Sequence, residues 1–301
     1  MKIGIIGLGR MGWNLALNIS ENGHEVIVYN RTKEKIDNIL KENNNLIGAY
    51  SLEELTEKLN SPRIVFILIP SGEPATQMIN KVSELFEKED IIIDAGNSFY
   101  KDSITRAEKL KEKGIYFLDM GTSGGIEGAR NGACFMVGGN KEAYEKIAPI
   151  LKDSSVENGY GYVGESGKGH FVKMVHNGIE YAMMQAIGEG FEILHRHDQK
   201  FDFKEISKIW ANGSIITGHL MNLTYRMFSN DKKLEGLDTE IGQSGEGLWT
   251  LQTALEYKVS LPAITSSIFK RFESKNPTDF SSKVIQGLRK EFGGHDSKDR
   301  V

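Results

Sequence analysis

Between Met1 and about Val163 the chain repeats one pattern: a short β-branched run, an amphipathic segment, then another run. The runs are "KIGIIG", "HEVIVYN", "RIVFILIP", "DIIIDAG", "YFLDMG" and "CFMVGG", with helical patterns such as "SLEELTEKL" between them. Apolar runs this short, separated by helices, specify a parallel sheet covered on both faces. After "ENGYGYVGESGKG", a glycine-rich stretch that reads as a boundary, strand patterns give way to long apolar-periodic segments. The expected organisation is a doubly wound α/β domain over residues 1–164, followed by an all-α domain over 165–301. A chain of 301 residues agrees with two domains, since it exceeds the usual size of one. The tail "EFGGHDSKDRV" is polar and glycine-containing, and by default such a terminus is disordered.

Charge and cysteine usage narrow the setting. The balance of 37 basic and 41 acidic residues, a net charge of −4, offers no electrostatic footprint for nucleic acid or an anionic membrane, so a small-molecule partner is expected. Cys134 is the one cysteine, which excludes disulfide frameworks and cysteine zinc clusters and points to a reducing cytoplasm; its bland reading is a small buried apolar residue. No apolar run approaches the roughly 20 residues that span a bilayer, and the N-terminus is a strand pattern, not an export signal. The histidines His24, His170, His195, His197 and His219 show no ligand spacing, so no metal is expected.

The first chemical motif is Gly7-Leu8-Gly9-Arg10-Met11-Gly12, directly after "KIGII" and opening a helix through "NLALNIS". In that context Gly7 permits the tight turn, Gly9 lets backbone approach a pyrophosphate, Gly12 allows close helix–strand packing, and the helix N-terminus attracts the anion. This is the fingerprint of a Rossmann-type dinucleotide domain. Such domains commonly carry Asp or Glu after the second strand to bind the ribose hydroxyls of NAD; this chain has Asn30-Arg31-Thr32. With no carboxylate to repel a 2′-phosphate, and with Arg31 able to pair with it and lie over adenine, NADP is expected over NAD. A solvated Arg31 at a strand end is the alternative, and it leaves the cofactor choice open.

Two later loops stand where open α/β sheets place ligands. In "IPSGEP", Pro70 and Gly72 can wall a flat ring; in "DAGNSFYKDS", Asn97 and Ser98 suit a carboxamide or a hydroxyl-bearing substrate. Either loop serves equally as a turn and helix cap. The glycines of "GTSGGIEGARNGACFMVGG" bring backbone N–H groups and the Ser123 hydroxyl into a nest that fits a carboxylate, against the plainer reading of a loop.

The stretch "GHFVKMVHNGIEY" puts charges into an apolar helical pattern. At 3.6 residues per turn Lys173, His176, Asn177 and Glu180 form one stripe, while Phe171, Val172, Met174, Val175 and Ile179 cover much of the rest, as on a largely buried rod. Gly169, Gly178, Gly188 and Gly190 weaken a helix unless neighbours approach closely. Burial favours a neutral amine and a neutral carboxylic acid, a base and an acid for chemistry beside a hydride acceptor. An exposed face with a Lys–Glu contact is the competing reading.

At these residues the chain resembles decarboxylating 6-phosphogluconate dehydrogenases, in particular their short-chain branch within the β-hydroxyacid dehydrogenases. The resemblance rests on the glycine motif with Asn30-Arg31-Thr32, on "DAGNS", "GTSGG" and "GHFVKMVHNGIEY", and extends to about His295. It implies that Lys173 is the general base at the C3 hydroxyl and that Glu180 protonates C1 of the enediol left by decarboxylation. It further implies that Ser123, Gly124 and Gly125 hold the substrate carboxylate, that Asn97, His176 and Asn177 orient hydroxyls, and that Tyr181 and Arg271 meet the phosphate. "RKEFGGH" is similar to the family's C-terminal substrate-binding motif, so Arg289 and His295 would reach the sugar phosphate in a neighbouring subunit of a homodimer or homotetramer. One departure stands out: Ser244 and Glu246 occupy positions where longer members have a phosphate-binding lysine and threonine. Two other classes remain open. One is a non-decarboxylating β-hydroxyacid dehydrogenase for a small unphosphorylated acid, with no use for Arg271, Arg289 and His295; the other is a dinucleotide-sensing protein without catalysis.

Overall fold

The computed structural model describes residues 1–243, 245–275 and 280–293. The chain divides into two compact units, Met1–Asn177 and Gly178–Val301.

In the first unit strands and helices alternate: β1 (Lys2–Ile6), α1 (Arg10–Glu21), β2 (Glu25–Tyr29), α2 (Lys33–Glu42), β3 (Ile47–Ala49), α3 (Leu52–Lys58), β4 (Ile64–Ile67) and α4 (Glu73–Leu85). There follow β5 (Ile91–Asp94), α5 (Tyr100–Glu112), β6 (Tyr116–Ser123), α6 (Gly125–Asn131), β7 (Ala133–Gly139), α7 (Lys141–Ser154), β8 (Ser155–Gly164) and the long α8 (Lys168–Arg196). The eight strands form one sheet in the order β3-β2-β1-β4-β5-β6-β7-β8. The central runs "IVFI" and "IIID" are buried at every position, as strands covered on both faces must be. One apolar layer centres on Ile3, Ile5, Phe66 and Ile93, the other on Ile6, Val65, Ile67 and Ile92, following the two-residue period of the strands. Helix starts obey local chemistry: the Ser51 hydroxyl accepts from Glu54 N–H at 3.0 Å and Asn140 Oδ1 from Ala143 N–H at 2.8 Å.

The expected all-parallel sheet needs correction. β6 and β7 pair antiparallel, because residues 124–132 are fewer than the dozen or so that a parallel crossover requires. The glycine-rich stretch read as a boundary contains strand β8, parallel to β7. Its tyrosines supply what its glycines lack: the Tyr162 hydroxyl donates to Gly139 O at 2.9 Å, and its ring lies 5.3 Å from that of Tyr144. Cys134 is half-buried rather than enclosed.

Among its described residues the second unit holds helices and no strand, with the remainder of α8 followed by α9 (Phe203–Ala211), α10 (His219–Asn230), α11 (Glu246–Tyr257), α12 (Pro262–Lys275) and α13 (Phe280–Gly293). Phe191 of α8 centres an aromatic cluster, with ring centroids 4.9 Å from Phe228, 5.5 Å from Trp210 and 5.6 Å from Phe203. Gly178 serves close packing, since a Cβ there would lie 2.9 Å from Thr250 Cγ2; Gly188 and Gly190 do not, with nothing within 4 Å of theirs. Among the described residues no helix is long and apolar enough to cross a membrane.

Candidate active site

The loop after β1 is built by steric exclusion. Gly7 turns at φ +103°, and a Cβ there would run into the Leu68 carbonyl and lie 2.8 Å from Ile69 Cγ2. A Cβ on Gly12 would collide with the Gly7 carbonyl, so α1 sits directly against the turn. Gly9 is different: no protein atom lies within 4 Å of its Cβ position, and it caps α1 without any side-chain hydrogen bond or acidic residue in the first turn. The amides at the start of α1 therefore face an open, acid-free space in which a pyrophosphate fits. Leu8 is buried, Met11 half-buried and Arg10 exposed.

Asn30 ties this loop to the end of β2. Its Oδ1 accepts from Leu8 N–H and its Nδ2 donates to Thr32 O, both at 3.0 Å, while Arg31 and Thr32 are exposed. The loops after β4 and β5 pack beside it in turn, since a Cβ on Gly96 would lie 2.8 Å from Ile69 O. Pro70 and Asn97 are exposed at these loops; Ser98 is turned inward, accepting from Arg106 Nη1 at 3.1 Å.

The start of α8 is anchored on the sheet by a buried carboxylate. Asp119 of β6 accepts from Gly167 N–H at 2.7 Å and from His170 N–H at 2.8 Å. Burial pushes its carboxyl above the usual range, opposed by His170 and the two backbone donors. The Ser103 hydroxyl on α5 meets His170 Nδ1 at 2.7 Å. Gly169 lies against the strands, where a Cβ would come within 2.7 Å of Gly138 N and Met136 O, and Gly121 of β6 underlies Lys173, whose Cγ would be 2.9 Å from an added methyl.

Lys173 and Asn177 are buried, at 7% exposure each. His176 connects them to the glycine-rich segment: Nε2 lies 3.1 Å from Ser123 Oγ, Nδ1 lies 3.1 Å from Asn177 Oδ1, and Lys173 Nζ is 3.5 Å from Nδ1. With the Asn177 oxygen accepting, Nδ1 carries the imidazole hydrogen and Nε2 accepts from the Ser123 hydroxyl. Gly124 and Gly125 follow at φ +107° and +64°. The expected loop here is instead the end of β6 running into α6.

The rod is covered along its polar stripe and less enclosed elsewhere than the expectation of a largely buried rod. Its polar stripe is the covered side, with His176 and Glu180 half-buried, while Val172 is 37% and Ile179 50% exposed. Gly121 lets Lys173 lie close on β6, while Met174 is buried and the Phe171 ring meets that of Tyr100 edge-on, with centroids 5.0 Å apart.

In the second unit the Arg271 guanidinium lies over the Tyr181 ring, 3.8 Å from its centroid, and donates to Ser267 O at 3.1 Å. Burial lowers its pKa, against Tyr181 and Glu180, which raise it. The Tyr181 ring also meets α11, where a Cβ on Gly247 would lie 2.6 Å from Cε2. Glu246 is buried with neither carboxylate oxygen hydrogen-bonded among the described residues. Ser244, His295 and the Arg289 side chain lie outside the described residues. Asp119, Gly121, Ser103 and His170 escaped the sequence reading as site residues; the one signal was an acid within the apolar run "YFLDMG".

Residues 2–164 match the profile of the NAD binding domain of 6-phosphogluconate dehydrogenase, and residues 169–299 that of the 6-phosphogluconate dehydrogenase C-terminal domain. A Bacillus subtilis protein named "Putative 6-phosphogluconate dehydrogenase YqeC" is 46% identical over 98% of this chain and 98% of its own length. A Haloferax volcanii protein named as the NAD(+)-dependent decarboxylating 6-phosphogluconate dehydrogenase is 35% identical, with 98% of each chain covered. The NADP(+)-dependent decarboxylating enzyme of Bacillus subtilis is 41% identical over 91% of this chain, which spans 61% of that longer protein. Among solved structures, Plasmodium falciparum 6-phosphogluconate dehydrogenase superposes with a TM-score of 0.84 at 34% identity, covering 100% of this chain and 67% of that one. Mycobacterium tuberculosis 3-hydroxyisobutyrate dehydrogenase, at 19% identity and a TM-score of 0.71 over 96% of this chain and 99% of its own, shares the fold alone. Matched along both of its units, this chain belongs to the 6-phosphogluconate dehydrogenase family.

Proposed function

We propose that the protein oxidatively decarboxylates 6-phosphogluconate to ribulose 5-phosphate and carbon dioxide, with NADP preferred over NAD. The observation that carries this reading is the buried Lys173, laid over Gly121 and joined through His176 to Ser123 at the carboxyl end of β6. In this scheme residues 1–164 bind the dinucleotide. The helical part from 165 onward binds substrate and assembles the protein as a homo-oligomer.

The amine of Lys173, 7% exposed, takes the proton of the C3 hydroxyl as general base. A dinucleotide held by the Gly7–Gly12 turn would supply the hydride acceptor for C3. The 3-keto acid loses carbon dioxide because the ketone receives the electrons as an enolate, and the Lys173 ammonium donates its proton to that oxygen. Glu180, two turns further along α8, protonates C1 of the enediol from its carboxylic acid form while the amine of Lys173 takes the proton of the C2 hydroxyl, leaving the ketone of ribulose 5-phosphate. Ser123, Gly124 and Gly125 hold the substrate carboxylate, while His176, Asn177 and Asn97 orient hydroxyls. Arg271, with Tyr181 beneath it, meets the phosphate; Arg289 and His295 are assigned to the same group from the tail. On the nucleotide side, Gly7 to Gly12 take the pyrophosphate, Arg31 and Thr32 the 2′-phosphate, Asn30 keeps that corner in shape, and Pro70 and Asn97 border the nicotinamide.

The test is growth of reduced-nicotinamide absorbance with 6-phosphogluconate, gluconate or 3-hydroxyisobutyrate, each with NADP and with NAD. Signal with 6-phosphogluconate alone is expected. Signal with only an unphosphorylated acid would transfer the protein to the non-decarboxylating class, and none with any substrate would leave a dinucleotide sensor. Lys173→Met should abolish turnover with cofactor binding retained, and Arg31→Ala should raise the KM for NADP by about tenfold while sparing NAD, the size of one charge-assisted contact.

A further inference from the structure

We propose that Arg106 is a positioning residue for the nicotinamide half of the cofactor: it holds the loops after β4 and β5 in one fixed arrangement without touching the ligand. The inference rests on the reading that a dinucleotide lies across these loops.

Arg106 stands on α5 and is 4% exposed. Its Nη1 donates to Asp94 Oδ2 at 2.7 Å and to Ser98 Oγ at 3.1 Å. Its Nη2 donates to Gly72 O at 3.0 Å and to Thr76 Oγ1 at 2.9 Å, and its Nε to Thr76 Oγ1 at 3.1 Å. Asp102 Oδ2 lies further off, 3.8 Å from Nη2. A guanidinium has five N–H donors, and these bonds use them all, so nothing remains for a ligand. The acceptors come from three segments: the last residue of β5, the loop after it, and the first turn of α4.

Geometry accounts for an arginine here better than stability does. A buried ion pair is often no more stabilising than apolar residues of the same volume, whereas a planar fork fixes the directions of several acceptors at once. The fork reaches Ser98, the neighbour of Asn97, and Gly72, which turns at φ +78° two residues after Pro70. Strand order gives the arrangement its meaning. β1, whose glycine turn takes the pyrophosphate, has β2 and Arg31 on one side and β4 and β5 on the other. With the adenine end toward β2, the nicotinamide end falls on the loops that Arg106 joins.

The experiment compares the parent with Arg106→Lys and with Thr76→Val, which leaves the Asp94–Arg106 pair in place should the first variant fail to fold. Calorimetric titrations use NADP and NAD against adenosine 2′,5′-bisphosphate and ADP, which lack the nicotinamide half. Both variants should bind the preferred dinucleotide about tenfold more weakly, the size of a charge-assisted contact, with the affinity for its adenine fragment unchanged. Equal weakening of dinucleotide and fragment would reveal general loosening and overturn the proposal, as would no weakening at all. A parent chain that binds none of the four probes would overturn the cofactor reading and the proposal with it.

Discussion

His24 shows how burial sets the protonation of a single side chain. It is 8% exposed, and its Nε2 lies 3.1 Å from Asp153 Oδ2. Desolvation nonetheless outweighs the carboxylate and lowers the imidazole pKa below 6.5. Between the folded value and 6.5 the unfolded chain binds more protons than the folded one, so stability rises with pH across that window and falls on acidification below 6.5. One proton corresponds to about 1.4 kcal/mol per pH unit at most. Melting temperatures between pH 5 and 8 should therefore decline less steeply toward acid for His24→Gln than for the parent, and parallel curves would refute the assignment. At this scale the sequence was uneven as a guide. Lys173, His176 and Asn177 announced themselves as polar groups in an apolar run. Arg106 did not, because "RAEKLKEK" reads as a solvated helix face, and only the placement of α5 beside Asp94 and Ser98 turns that residue inward.

Among the elements, α8 depends most on one distant residue. Asp119 supplies acceptors for two buried N–H groups at its start, so Asp119→Ala leaves both without partners and should cost about 3 kcal/mol. Asp119→Asn keeps one acceptor and should cost less. Urea denaturation of the three proteins distinguishes these outcomes, and equal midpoints would mean that α8 is held by packing alone. The runs that became β1, β2, β4, β5, β6 and β7 were legible because their side chains are apolar on both faces. β3 is three residues long and β8 is rich in glycine, so pairing with a neighbour, not local pattern, makes them strands. The exposure of Val172 and Ile179 on α8 has the same origin, since periodicity reveals a stripe but not how much of the rest of the rod its neighbours enclose.

Across the whole molecule, large apolar side chains in the second unit stand open in the single chain. Ile193 of α8 is 73% and Leu255 of α11 72% exposed. Such surface is excessive for a chain that works alone, so sedimentation equilibrium should give a species heavier than one chain. Ile193→Asp together with Leu255→Lys should release single chains, and a parent that sediments as one chain would dismiss the homo-oligomer. The division into a sheet-bearing part and a helical part was readable from where β-branched runs stop. Which surfaces would meet copies of the chain in the proposed homo-oligomer was not, because a helix with apolar residues all round looks the same whether its cover comes from itself or from elsewhere. The Asn30 amide bears on redesign of the fold: with both ends bonded to main chain, it is a poor position at which to retune nucleotide choice. An acidic replacement there would trade a loop-closing strut for a ribose contact, so breeding an NAD-selective descendant should begin at Arg31 and Thr32, whose side chains reach outward.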